Sequence, residues 1–342
     1  MPSDGGVKEK RNAYLNREAY SLRGRIIIIT GASAGVGKEA ARDLALRGAT
    51  IVMGNRNLEK SYRVIQALRE EEGREMLPDD RFVVKRLDLS DLDSVREFAE
   101  EVKKDYPVID VLINNAGKMA GKRMVTKDGY ESQFQINHLG HFLLTFLLIE
   151  NILESENKPR IINVSSKAHK HASDNFINDL QSEKRYGWKG IVTYSNTKLM
   201  NIWFTKVMAR KYEGRITSYA VHPGCVKTDL KQNSLTCKLI YCGTWCCSKS
   251  VRKGAYTTIY CTVSAKAGQQ TGLYYSGSKV TKPMFMAEDE ELAQRLWIES
   301  CRMLNINWDL TNLKENFIRN SENSSKKYVS TANDSKQEQS YD

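Results

Sequence analysis

Tyr194 and Lys198 stand four residues apart in the run Tyr194-Ser195-Asn196-Thr197-Lys198. On a helix that spacing puts both side chains on one face. A free phenol, with a pKa of about 10, is a poor base at neutral pH. An ammonium beside it favours the phenolate and so eases proton transfer. Far upstream, Thr30-Gly31-Ala32-Ser33-Ala34-Gly35-Val36-Gly37 joins an apolar run to a helical pattern. Glycines there permit a tight turn and close approach of the backbone to a pyrophosphate, and the helix N-terminus supplies amide donors. The pair and the turn together predict hydride transfer between a nicotinamide and a carbonyl or alcohol.

The turn has the spacing Gly-x3-Gly-x-Gly, formed by Gly31, Gly35 and Gly37, with Ser33 and Val36 as further cofactor contacts. An NAD site usually carries an acid at the end of the second strand to hold the ribose 2′-hydroxyl. This chain has Gly54-Asn55-Arg56-Asn57 instead. Arg56 suits a 2′-phosphate, aided by Ser33 and Lys38, so the expected cofactor is NADP(H). The bland alternative is a solvated surface arginine. Asp88, after the third strand, is assigned the adenine edge. Asn115, Ala116 and Gly117 follow Asn114 at the end of the fourth strand, where open α/β sheets bind ligands. Pro223 and Gly224 follow the sixth strand, and Thr228 beyond them is assigned to the nicotinamide amide or the pyrophosphate.

These residues need a scaffold, and the pattern of the chain supplies one. Apolar strand-like runs fall at 26–29, 51–53, 82–84, 108–113, 160–164, 216–221 and 273–275, with helical stretches between most of them. Alternation of this kind predicts one doubly wound α/β domain of the Rossmann type. Its parallel sheet has about seven strands, with helices on both faces. Long helices are expected over about 130–153 and from Tyr194 to about Tyr212, and Ser90 or Asp91 is expected to cap the helix that ends near Asp105. Residues 1–24 read as a leader, 25–310 as the domain and 311–342 as a disordered polar tail whose charges cancel.

In order and spacing, Thr30-Gly31-x3-Gly35-x-Gly37, Asn114-Asn115-Ala116-Gly117, Asn137, Ser166, Tyr194-x3-Lys198 and Pro223-Gly224 resemble the short-chain dehydrogenases/reductases over most of the chain. The stretches 135–145, Asp179–Tyr186 and Tyr219–Gly224 are similar to the retinol dehydrogenase branch. The resemblance implies that Tyr194 is the general acid or base and that Lys198 lowers its pKa and holds the nicotinamide ribose. It also implies that Asn137 anchors a proton-relaying water. Strand geometry alone does not choose between Ser165 and Ser166, since neighbours point oppositely. The family pattern favours Ser166 as the group that bonds the substrate oxygen. Residues 167–189 form an insertion expected to wall the substrate pocket.

The chain has 342 residues and a net charge of +11. An anionic partner fits that charge, but no interleaved basic–aromatic module points to nucleic acid. No apolar run is judged long enough to span a membrane. Residues 1–24 lack the anchoring helix of several relatives, and the seven cysteines without a signal segment suggest a reducing, cytoplasmic setting. His138, His141, His169 and His171 do not form a zinc pattern, so no metal is expected. The segment 227–253 is read as a flap over the pocket. It carries Cys237, Cys242, Cys246 and Cys247 and is rich in lysine. Its stretch 235–253 suits peripheral contact with the cytoplasmic face of the endoplasmic reticulum. The function expected is NADP(H)-dependent interconversion of an apolar, retinol/retinal-like alcohol and aldehyde. The alternatives are reduction of steroid, lipid or xenobiotic carbonyls, or a non-catalytic nucleotide-sensing scaffold. By resemblance a homodimer is also expected.

Overall fold

The computed structural model describes residues 20–184, 186, 190–226 and 249–308. The chain divides into two compact units, Met1–Ser300 and Cys301–Asp342. The sheet and all the site residues discussed below lie in the first; in the second, residues 301–304 complete the last helix. Thr228, the stretch 235–248, most of the leader and the polar tail lie outside the described residues.

Eight strands form one sheet: β1 (Ile26–Thr30), β2 (Thr50–Asn55), β3 (Phe82–Arg86), β4 (Val111–Asn114), β5 (Arg160–Val164), β6 (Thr217–His222), β7 (Leu273–Ser276) and β8 (Lys279–Val280). Their order is β3-β2-β1-β4-β5-β6-β7-β8. All pairs are parallel except β7 with the short edge strand β8. The antiparallel strand is an addition to the expected parallel set. Ile27, Ile28 and Ile29 are all fully buried, which explains an apolar run without alternation: both faces of β1 are covered.

The helices are α1 (Gly35–Leu46), α2 (Leu58–Glu72), α3 (Leu92–Asp105), α4 (Ser132–Leu153), α5 (Ile191–Lys211), α6 (Val251–Val263) and α7 (Glu290–Leu304). Ala40, Ala41, Leu44 and Ala45 of α1 join Ala255 and Ile259 of α6 in the core on one face of the sheet. The sequence reading did not foresee α6 or α7. Helix α6 carries Thr257, Thr258 and Thr262 on its buried side, which blurs its apolar stripe. Asp91, rather than Ser90, caps α3, accepting from the amides of Asp93 and Ser94. At the end of the leader, Tyr20 and Leu22 lie against the core, and the Leu22 amide bonds the Arg47 carbonyl at 2.8 Å.

Helix α4 corrects one expectation. It is long and apolar enough to cross a membrane by length and composition. Of its most apolar stretch, 67% is buried inside the protein, so here the apolar length serves the core. Residues Gln135–Leu139 within it form a π turn. Such turns break the regular ladder and re-aim side chains.

Candidate active site

The strand order reverses direction between β1 and β4, and in open α/β sheets ligands bind beyond the carboxyl ends of the strands at such a point. The glycine turn leaves β1 at this point. Gly31 and Gly35 have positive φ of 68° and 54°. At Gly37 a Cβ would sit 2.4 Å from Asn115 Nδ2 and 2.5 Å from the Gly31 carbonyl oxygen, so only glycine fits. Helix α1 begins there with Ala34 at its cap, no side-chain cap bond and no acid in its first turn. Its leading amides therefore suit an anion, as a dinucleotide pyrophosphate requires.

The end of β4 is locked onto this turn. Thr30 Oγ1 accepts the amides of Asn115 and Ala116, each at 2.9 Å. Asn115 Nδ2 donates to the Thr30 carbonyl at 2.8 Å and towards that of Gly31 at 3.3 Å. The side-chain N–H of Asn115, a residue assigned to the cofactor from sequence, thus shapes the cradle. Asn114 is buried and donates to Thr145 and Asn163, a link within the core.

At the end of β2, Arg56 is exposed and has no ion pair among the described residues. Ser33 and Lys38 are partly exposed beside the turn. Asp88 turns one oxygen back to the amide and hydroxyl of Ser90, at 3.0 and 2.6 Å. Pro223 and Gly224 follow β6, and Gly224 adopts φ 92° against the side chain of Lys249.

The catalytic candidates converge at the same edge. A Cβ placed on Gly117 would lie 3.5 Å from both Asn137 Oδ1 and Lys198 Nζ. The Lys198 ammonium lies 5.4 Å from the centre of the Tyr194 ring and donates to the Val164 carbonyl at 3.0 Å. Burial strips it of water and lowers its pKa to about 8. Asn137 is held by the π turn. Its Oδ1 accepts the Lys118 amide at 2.7 Å, and its Nδ2 donates to the Lys118 carbonyl at 2.9 Å and to Thr197 Oγ1 at 3.0 Å. The Asn137 side chain is thus bonded within the protein, and its main-chain carbonyl faces His141 Nδ1 at 3.4 Å.

The two serines separate as strand alternation requires. Ser165 is buried and donates to the Lys198 carbonyl at 2.7 Å. Ser166 is partly exposed, and its Oγ accepts the Ala168 amide at 3.2 Å. An oxygen that accepts in this way keeps its own hydrogen for another partner.

The insertion folds back along α5. Phe176 stacks on Trp203 at 5.3 Å, and the Ser173 amide bonds Asn196 Oδ1 at 2.9 Å. The Tyr186 hydroxyl bonds the Ala120 and Lys122 carbonyls at 2.9 and 2.8 Å, tying the insertion to the loop after β4.

Of two histidines first weighed as metal ligands, His141 braces the glycine turn and His138 lies in the aromatic core. His141 Nε2 bonds Thr30 Oγ1 at 2.8 Å, and His138 Nε2 bonds Ser300 Oγ at 2.9 Å. Burial brings both pKa values down to about 3, so both rings are neutral. Thr30, His141 and Thr197 were missed as site residues. The only sequence signal was the place of Thr30 at the head of the glycine turn.

Residues 25–178 match the family model described as short chain dehydrogenase. Human retinol dehydrogenase 12 is 38% identical over 294 residues, covering 86% of this chain and 90% of that protein. The crystal structure of an uncharacterized protein from Mycobacterium paratuberculosis has a TM-score of 0.67 and 29% identity, covering 86% of this chain and 98% of that one. A short chain dehydrogenase from Shigella flexneri complexed with NADP, at 23% identity and TM-score 0.55, covers 75% of this chain and 98% of its own and shares the fold.

Proposed function

The chain belongs to the short-chain dehydrogenases, an oxidoreductase family, and from that premise we propose that it reduces an apolar, retinal-like aldehyde with NADPH and catalyses the reverse oxidation. The observation that carries the reading is the convergence of Gly117, Asn137 and Lys198 beside the Tyr194 ring. The substrate class follows from the name of the human relative, and the cofactor from Arg56 standing where an acid would select NAD.

The residues fit a nicotinamide dinucleotide: a glycine turn with Gly31 and Gly35 at positive φ, an uncapped helix end and an unpaired arginine among the described residues. Bound there, it supplies the hydride. Tyr194 gives the proton to the carbonyl oxygen in reduction and removes it in oxidation. Lowering a phenol pKa by about 3 units takes roughly 4 kcal/mol of differential stabilisation. The Lys198 ammonium provides part of it from within a shielded site. Ser166 donates to the substrate oxygen as charge develops there. The Asn137 carbonyl holds a water through which Lys198 exchanges protons with solvent. We also propose peripheral contact of the basic segment 235–253 with an anionic lipid surface on the cytoplasmic face of the endoplasmic reticulum.

The test is loss of reduced-nicotinamide absorbance with retinal, medium-chain aldehydes and steroid ketones, run with NADPH and with NADH. Turnover should favour NADPH and retinal and fall by at least about 10²-fold in Tyr194→Phe. Equal turnover in that variant would refute the role of Tyr194. Arg56→Asp should shift preference towards NADH; an unchanged NADPH preference removes Arg56 from the cofactor site.

A further inference from the structure

The peptide unit that joins Ser166 to Lys167 is held at both ends by imidazoles. Its carbonyl oxygen, on Ser166, faces His169 Nδ1 at 2.7 Å. Its N–H, on Lys167, donates to His222 Nδ1 at 3.2 Å. The far nitrogen of His169, Nε2, accepts the Met284 amide at 3.1 Å. A nitrogen that accepts an amide hydrogen carries none of its own, so Nδ1 of His169 bears the proton and donates to Ser166. One ring gives a hydrogen bond and the other receives one, across a single planar unit.

Both rings are buried, and their partners come from distant parts of the chain. His169 has no exposed surface, and its ring stands edge-on to Tyr274 at 5.0 Å. His222 closes β6, and Met284 follows β8. Burial, with Lys249, His169 and Lys167 adding to it, lowers the His222 pKa to about 4; burial also lowers that of His169. Both rings therefore remain neutral at working pH, as the bonding pattern needs. Ser166 lies in extended backbone at φ −155° and ψ 155°. The Ser165 amide bonds the Val221 carbonyl at 2.8 Å and holds the chain before Ser166, so with the following peptide plane also fixed ψ is fixed, and with it the Cα–Cβ direction, while the Ala168 amide holds Oγ at 3.2 Å.

We infer that His169 and His222 are positioning residues for the hydride-transfer reaction: gripping the Ser166–Lys167 peptide at its two ends, they aim the Ser166 hydroxyl at the substrate oxygen. The inference rests on the reading of Ser166 as the group that bonds that oxygen. Small misplacements of a catalytic group cost large factors in rate, on the order of 10²-fold for about 1 Å.

Two similar polar replacements of His169 separate aiming from mere filling of space. In His169→Asn the side-chain N–H falls near the place of Nδ1 and can still reach the Ser166 carbonyl. In His169→Gln the amide falls near the place of Nε2 and serves Met284 instead. With NADPH and the best aldehyde of the panel, kcat of the Asn variant should exceed that of the Gln variant by about tenfold, with NADPH affinity equal in both. In a Ser166→Ala background the difference should vanish, because no hydroxyl remains to aim. Equal kcat in the two variants, or a difference that persists without Ser166, overturns the inference. Should either variant fail to fold, His222→Asn and His222→Leu replace the pair, since only the first offers an acceptor to the Lys167 amide; equal kcat there has the same meaning. Near-normal turnover in Ser166→Ala alone would instead overturn the reading of Ser166.

Discussion

Lys198 sits wholly inside the protein, and the cost of holding a charge there sets its behaviour. In the unfolded chain its pKa is about 10.5, and in the folded one about 8. Between those values the unfolded state binds more protons, so stability rises as pH climbs through that window. Below it, the buried ammonium costs roughly 3 kcal/mol. Lys198→Met should therefore lose turnover by at least about 10²-fold and yet melt at a higher temperature than the parent at pH 7. Its advantage should shrink as pH rises from 8 towards 10.5. Removal of the ammonium leaves the Val164 carbonyl with a donor, Asn201 Nδ2 at 3.1 Å, so no orphan offsets the gain. Thermal melts of the cofactor-free protein at the two ends of that range check the sign. A lower melting temperature at pH 7 would mean that the Val164 bond outweighs desolvation.

Among the elements, the helix caps sort by purpose. Asn57 caps α2, Asp91 caps α3 and Ser250 caps α6, each accepting a main-chain amide of the first turn. Helix α1 has Ala34 there and no such bond. The one of these four helices whose first turn opens onto the proposed pyrophosphate is the one left without a cap. A capping oxygen would compete with the anion for the same amides. Asp91→Ala should cost about 1 kcal/mol of stability and leave kcat and the cofactor constants unchanged, which denaturant melts and steady-state kinetics would show together. A change in kcat would place α3 in the site. The π turn of α4 is a second purposeful departure, because it frees Asn137 to clamp residue 118 on one side and Thr197 on the other.

At the scale of the whole molecule, charge and apolar cover decide what can dock. The net charge is +11, and Lys249, Arg252 and Lys253 at the start of α6 are exposed. The protein should sediment with vesicles containing phosphatidylserine at low salt and release as salt is raised, because the Debye length contracts to about 3 Å near 1 M. No binding at low salt would refute the peripheral contact proposed for 235–253. Phe142 of α4 and Phe204 of α5 lie against Trp297 of α7 at 4.9 and 6.0 Å. A dimer through these helices would have to form around that cover.

Local stretches of sequence encode the alternating α/β order, the glycine turn, the Tyr194–Lys198 pair and the strand ends on which the site stands. Each of these is encoded over a few residues, by apolar periodicity, by the freedom of glycine or by helical spacing. Helix α6 escaped because Thr257, Thr258 and Thr262 blur its apolar stripe, whereas α7 carried a legible one, Ala293, Leu296, Trp297 and Ser300, that was overlooked. Which polar groups are bound within the protein emerges only when distant segments of the chain come together. Asn115 pairs with Thr30 across 85 residues, His141 with Thr30 across 111 and Met284 with His169 across 115. Residue type declares that a side chain can hydrogen-bond, but its partner is chosen by chain segments that meet only on folding. Hence Asn115, singled out for the cofactor, builds the cradle, while His169 and His222 acquire a function that their local sequence does not announce.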